Sequence, residues 1–366
     1  MNKPVILIGA GCPQSLADKL CTLGIPVLTT WQAIDRVPED SPVFCGRPGV
    51  VGQRAANIIQ QKSTVLYIFG ARMDNEQVAH RMSNFAPNAK KVVYDIDKAE
   101  LDKLPVDWTV INADLNDLNI PPVESSFDWL KWCKDLYNDY RYELDGTGNV
   151  EGYVDPYYFT RILSDVCEEG EVIVPASSGM QSCAMMQAFK VKRDQKILLC
   201  NTTGAMGLEP MAIGAALATK KRVVCVCGDG GFFINMQELE LVKRRGLNIK
   251  YFVFCNGGYG SITTMQDARF NLRVGGDEQS GFTLPNLEKT ARLFNIDYQE
   301  IMSNKDVSII EKIVNSNRSF IVRVNTTLAF RYATKVNSAL QDGAFVVDSM
   351  EDMTPKIQNL KELMAA

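Results

Sequence analysis

RVVCVCGDGG (Arg222–Gly231) followed by YFVFCNGG (Tyr251–Gly258) is the stretch on which the fold reading turns. Arg222–Cys227 and Tyr251–Cys255 are short apolar runs, the pattern of buried strands. INMQELELVKRR (Ile234–Arg245), between them, has the length and composition of a crossover helix. Strand, helix and strand predict a right-handed parallel unit. Gly228-Asp229-Gly230-Gly231 and Asn256-Gly257-Gly258 then fall at the carboxyl ends of parallel strands, where open α/β sheets bind ligands.

The residue types point to a divalent cation holding a diphosphate. Mg²⁺ takes oxygen ligands in octahedral geometry and shares its shell with phosphates. Asp229 offers a carboxylate oxygen, Asn256 an amide oxygen and Gly258 a carbonyl unshielded by a side chain. Gly228, Gly230 and Gly231 let the backbone approach the diphosphate, with helix amides turned toward it. A lone Gly-Asp-Gly reads more often as a generic strand-turn-helix with a capping Asp. The Asn loop one βαβ unit later is what singles out the cation.

Composition excludes several classes. Hydrophobic residues make up 46% and charged residues 22% of 366, as in a globular protein long enough for two domains. A net charge of −4 without a basic stripe predicts no nucleic-acid partner. No apolar run approaches the roughly 20 residues that span a bilayer, so no membrane segment is expected. The ten cysteines are scattered, and Cys200, Cys225, Cys227 and Cys255 sit in or beside apolar runs. They read as small buried hydrophobes of a reducing, cytoplasmic protein. With a single His, His80, a His-containing zinc site or a Ser-His-Asp triad is not expected.

Residues 1–123 alternate strand candidates (Val5–Ile8, Val27–Leu28, Val65–Phe69, Val92–Tyr94, Trp108–Ile111) with helical segments (Pro13–Leu23, Val51–Gln61). This predicts a doubly wound, Rossmann-like parallel sheet. Gly9 and Gly11 after the first strand give only part of a dinucleotide fingerprint. Residues 124–152 read as a linker containing an aromatic helix (Ser125–Tyr142) and a loop, Asp145-Gly146-Thr147-Gly148-Asn149. Residues 153–342 form a second α/β domain, and 343–366 an ordered extension. The fold class is thus α/β, with two doubly wound parallel-sheet domains.

Longer matches carry a family resemblance. NTTGAMGLEPMAIGAALA (Asn201–Ala218) resembles the "G-MG---P-AIGAALA" segment of acetolactate-synthase-like thiamine-diphosphate enzymes, and the Asp229/Asn256 pair resembles their cofactor signature. Ala176–Ser182 stands where the family's first diphosphate loop begins, with Met180-Gln181 in place of its Gln-His. Pro4–Gly11, Gly24–Thr30, Val65–Asp74 and Val92–Glu100 resemble segments of the family's middle domain. Gly260-Ser261-Ile262, Gly275-Gly276-Asp277 and Ser280-Gly281 resemble a branch linked with surface-polysaccharide or unusual-sugar synthesis.

The resemblance implies thiamine diphosphate with Mg²⁺ as cofactors, the metal on Asp229, Asn256 and Gly258. It implies a cofactor-binding set of Gly179, Gln181, Gly204, Met206, Gly228, Asp229, Gly230, Gly231, Asn256, Gly258, Tyr259, Gly260, Ser261 and Ile262. Met206 corresponds to the wedge that bends the cofactor into a V, and Ser261 and Ile262 stand near the diphosphate or the reacting atoms; Met206 and Ser261 are the catalytic candidates. FAD in the first domain is an even alternative to a domain kept for packing. The implied reaction is decarboxylation of pyruvate or another 2-oxo acid, with transfer of the acyl-carbanion equivalent to an acceptor carbonyl, a keto-sugar being one candidate. Simple 2-oxo acid decarboxylation and a catalytically silent cofactor-binding or regulatory subunit are the rival readings. Nothing here resembles the family's pyrimidine-binding domain, which carries the activating Glu. A partner subunit and a hetero-oligomeric split enzyme, a transferase or lyase, are therefore expected. Glu209, three residues after Met206, is not at that Glu's position.

Overall fold

The computed structural model describes residues 2–120, 126–144, 146–176, 180–199, 205–341 and 344–365. Contacts divide the chain into two units, residues 1–143 with 333–366, and residues 144–332.

In the first unit the order is β1 (Pro4–Ile8), α1 (Gln14–Leu20), β2 (Val27–Thr29), α2 (Arg54–Lys62), β3 (Val65–Phe69), β4 (Lys90–Asp95), α3 (Lys98–Leu101), β5 (Thr109–Asn112) and α4 (Phe127–Tyr140). The strands form a sheet ordered β2-β1-β3-β4-β5, and every pairing is parallel. β1 reads PVILI and is buried at every position, because helices cover both faces of a parallel sheet. α4, with Ser126 capping its first turn, sends Trp129, Cys133, Leu136 and Tyr137 into the same core. The aromatic segment read as linker is thus a packed helix of the first unit.

The second unit runs α5 (Pro156–Val166), β6 (Val172–Pro175), α6 (Met180–Ala188), β7 (Lys196–Ile197), α7 (Pro210–Thr219), β8 (Val223–Gly228), α8 (Asp229–Phe232), α9 (Leu239–Arg245), β9 (Ile249–Cys255), α10 (Gly260–Arg269), α11 (Leu287–Leu293), β10 (Asp297–Ile301), α12 (Ile309–Val314) and β11 (Phe320–Asn325). Asp155 caps α5 by accepting from the Tyr157 and Tyr158 amides, with Pro156 at the first helical position. The sheet order is β10-β11-β9-β8-β6-β7, again all parallel. β7 lies on one side of β6 and β8 on the other, so the order reverses between β6 and β8. A crevice opens outside the strand ends at such a reversal. The carboxyl end of β6 and the GDGG turn after β8 flank it.

The chain then re-enters the first unit with β12 (Ser338–Gln341), β13 (Ala344–Val347) and α13 (Leu360–Ala365). Met350 and Met353 are fully buried in the first unit's core. Buried Arg54 of α2 donates to the carbonyls of Met353 (3.4 Å) and Pro355 (2.8 Å). Asn57 donates to Met350 O at 3.0 Å. The return segment therefore builds part of the first core, whereas the sequence reading ran the second domain to residue 342.

Candidate active site

The two sequence motifs meet. Gly228 ends β8 and Asp229 opens α8, and Asn256 follows β9, the strand beside β8. Asp229 Oδ2 accepts from the amides of Asn256 (3.0 Å) and Gly257 (2.9 Å), and Oδ1 from Gly230 N (2.8 Å). Asn256 Oδ1 accepts from Gly258 N at 3.0 Å, fixing the amide oxygen in the loop. Gly257 turns the chain with φ +77°, a conformation that favours glycine.

Two of the flanking glycines answer a close approach. A methyl on Gly230 would stand 2.4 Å from the Tyr259 ring, and one on Gly258 2.3 Å from the Gly276 carbonyl. Tyr259 is held by its amide on Gly276 O (2.8 Å) and by its ring against Phe282, centroids 4.1 Å apart. Behind it Arg273 bridges Asp267 and Asp277, at 2.6 Å from each. Asp277 caps the turn with Ser280. The sequence motif Gly275-Gly276-Asp277 with Ser280-Gly281 is thus a prop under the Asn256–Tyr259 loop. Gly230→Ala is expected to displace the Tyr259 ring and cost about 1–2 kcal/mol of stability, read as a lowered urea midpoint, with weaker cofactor binding beside it.

Gly260, Ser261 and Ile262 form the first turn of α10. Ser261 and Ile262 are exposed, and the Ser261 hydroxyl faces the hydroxyl of half-buried Tyr332. Met206 is partly exposed at 36%. Gly207 after it is left-handed, φ +76°, and its carbonyl accepts from Asn235 Nδ2 at 2.7 Å. Asn235 itself departs from helical geometry, so the single crossover helix expected over Ile234–Arg245 is broken there. A methyl on Gly231 would stand 3.2 Å from Met206 Cγ, so this glycine makes room for the methionine. Gly179 and Gly204 lie outside the described residues; Gln181 lies on α6, with no side-chain description.

Asp229 is 4% exposed. Burial pushes its carboxyl up to about 6, partly offset by the amides of Gly257, Gly230 and Asn256. No ion pair forms to it among the described residues, so a divalent ion would supply the positive charge that this carboxylate lacks. No cluster of three His, Cys, Asp or Glu side chains suited to a metal occurs among the described residues. The residues present fit Mg²⁺ and a diphosphate.

A parallel sheet whose order reverses beside this acid–amide pair, at adjacent strand ends, has the arrangement of a ligand-binding α/β sheet. Comparison makes the class specific. The profile "Thiamine pyrophosphate enzyme, C-terminal TPP binding domain" matches residues 177–324, and "Thiamine pyrophosphate enzyme, central domain" matches residues 1–118. The chain is 28% identical to acetolactate synthase isozyme 2 large subunit of Escherichia coli (strain K12), covering 88% of this chain and 60% of that protein. It is 29% identical to the chloroplastic acetolactate synthase 2 of Zea mays, over 88% of this chain and 53% of the relative. Against acetolactate synthase isozyme 1 large subunit of E. coli the identity is 29%, over 75% and 50%. The chain belongs to the thiamine pyrophosphate enzymes, in their acetolactate-synthase-like family. It spans about half to three-fifths of the length of these curated relatives.

Proposed function

We propose that this chain is the cofactor-binding subunit of a split thiamine-diphosphate-dependent enzyme that decarboxylates pyruvate or another 2-oxo acid and transfers the acyl unit to an acceptor carbonyl. The observation that carries the reading is Asp229 bonded to the amides of Asn256 and Gly257. Thiamine diphosphate, when bound, supplies the carbanion centre that adds to the 2-oxo group. The chain's own residues bind and orient it. Asp229, Asn256 and the Gly258 carbonyl hold Mg²⁺. Gly228, Gly230, Gly231, Gly179, Gln181 and Gly204 face the diphosphate. Met206 supports the bent cofactor, with Tyr259, Gly260, Ser261 and Ile262 along the cleft and Ser261 nearest the substrate. The relatives' printed name, acetolactate synthase, supports pyruvate as donor and carboligation as outcome. The keto-sugar acceptor rests on the branch resemblance of the Gly275–Gly281 prop.

The matched profiles are the central and C-terminal domains; the activating carboxylate is proposed to come from a partner subunit in a hetero-oligomer. The protein is taken to work in the cytoplasm. No described cysteine is in a disulfide, and no described helix is long and apolar enough to cross a membrane. FAD in the first unit stays an alternative to a domain kept for packing, held elsewhere than on the amides of the turn after β1. The amides of Gly9, Gly11 and Cys12 are spent on the carbonyls of Phe69, Gly70 and Gly9. The Gly46–Gly52 stretch is covered by the return segment, through Val336 N on Val50 O at 2.7 Å.

The test is native mass spectrometry of the complex purified from its own host with Mg²⁺ and thiamine diphosphate present. A second, domain-sized polypeptide with bound cofactor is the expected result. A homo-oligomer that carries cofactor and turns over a 2-oxo acid alone would sink the split-subunit reading.

A further inference from the structure

Glu209 is an acid without a hydrogen-bond partner among the described residues of the second unit. It is 5% exposed, and neither carboxyl oxygen has a hydrogen-bond partner among the described residues. It stands immediately before Pro210, the first residue of α7. A methyl built on Gly231 would lie 3.1 Å from Glu209 Oε1 and 3.2 Å from Met206 Cγ. The carboxyl, the methionine and the GDGG loop therefore meet at one point. Glu209 also lines a cavity of about 10 Å³ with Phe232, Asn235 and Tyr251, at the lower limit for one water.

The titratable groups facing it are Cys225 and Cys227 of β8, Tyr251 of β9, and Glu238 in the helical turn after α8. Burial pushes the two thiols and the phenol up, so they stay neutral near pH 7. No Lys or Arg is among these neighbours. Burial likewise pushes Glu209 up to about 7; its own amide and the Cys227 thiol offset part of this without reaching hydrogen-bond geometry. An orphan carboxyl is costly in a core, and its place beside the cofactor cleft gives it a use.

We propose that Glu209 is a second acid of the cofactor seat, set beside Met206 and Gly231 to answer the cationic ring of thiamine diphosphate. This rests on the thiamine-diphosphate reading of the cleft. There the diphosphate is met by the divalent ion, and the ring cation is the charge left for a carboxylate. The neutral carboxyl gives its proton to solvent as the cation settles beside it, so cofactor binding releases a proton and strengthens as pH rises toward neutrality. Glu209 acts here as a positioning residue: it steadies the ring and takes no part in bond making.

Calorimetry tests this. Thiamine diphosphate is titrated into the full chain in the complex it forms in its own host, with saturating Mg²⁺ near pH 6.5, in two buffers of different ionisation enthalpy. The proteins are wild type, Glu209→Gln, which mimics the neutral acid, and Glu209→Leu, which fills the space without a polar head. Titration of Mg²⁺ alone gives the contribution of Asp229, which all three keep. Wild type is expected to release a large fraction of one proton more than either variant. Its affinity gain from about pH 6 to about pH 8 should exceed theirs by roughly tenfold. Equal proton release with binding intact overturns the role of Glu209 and leaves the cofactor reading standing. Absence of binding in all three overturns the cofactor reading, and this inference with it.

Discussion

Asp229→Asn is expected to weaken Mg²⁺-dependent binding of thiamine diphosphate by at least about 100-fold, the upper end of what the loss of an outer-shell partner does to a metal site. The substitution keeps an oxygen but removes the charge. The Asp229 carboxylate accepts from the amides of Gly230, Asn256 and Gly257 through both oxygens, so the asparagine NH2 faces backbone N–H groups and a loss of stability accompanies the loss of binding. The sign with pH is definite. Burial raises the carboxyl from its ordinary 3.8 to about 6. Stability tied to the neutral form is complete below about 4 and lost as pH rises through 6. A metal needs the ionised form and displaces the proton. Wild-type affinity should therefore climb from about pH 5 to pH 7 and level off, while Asp229→Asn shows little of that climb. Calorimetric titration across this range is the measurement, and an unweakened Asp229→Asn would remove this residue from the metal site.

This much of the site was open to reading because its chemistry is local. An acid after one strand, an amide after the next and glycines around both are all sequence-adjacent features, and parallel pairing of β8 with β9 brings them within hydrogen-bond range. Where tertiary context ruled, the sequence signal was weak. Asp297–Ile301 reads DYQEI, with exposed Gln299 and Glu300, and becomes a strand because it lies at the sheet edge against β11 alone. Gly260–Arg269 opens with Gly-Ser-Ile-Thr-Thr, poor helix formers, yet α10 forms there, directly after the Tyr259 loop. The helix expected through Ile234 is interrupted because Asn235 turns to hold Gly207, a contact that periodicity does not encode. The return of the chain to the first unit was invisible for the same reason. Met350 and Met353 read as an apolar pair in a charged tail until α2 is seen beside them.

Glu209→Gln is expected to raise the thermal stability of the cofactor-free chain at pH 8 and to leave it nearly unchanged at pH 5. The carboxyl is buried, and its folded value of about 7 stands above the ordinary 4.5. Below about 4.5 it is neutral in both folded and unfolded chains. As pH rises toward 7 the unfolded chain ionises first, so the stability associated with the neutral buried form is progressively lost. Over the full range the gap amounts to about 3 kcal/mol. Glutamine keeps the shape and the neutrality and does not titrate, so it escapes this loss. In a protein of this size such a difference is several degrees in melting temperature. Thiamine diphosphate with Mg²⁺ should reverse the order at pH 8, because the bound cationic ring stabilises the glutamate and gives the glutamine less. Melting curves of both proteins at the two pH values, with and without cofactor, decide the matter. A Glu209→Gln chain that melts with wild type at pH 8 would mean that the carboxyl already has a partner to hold its charge.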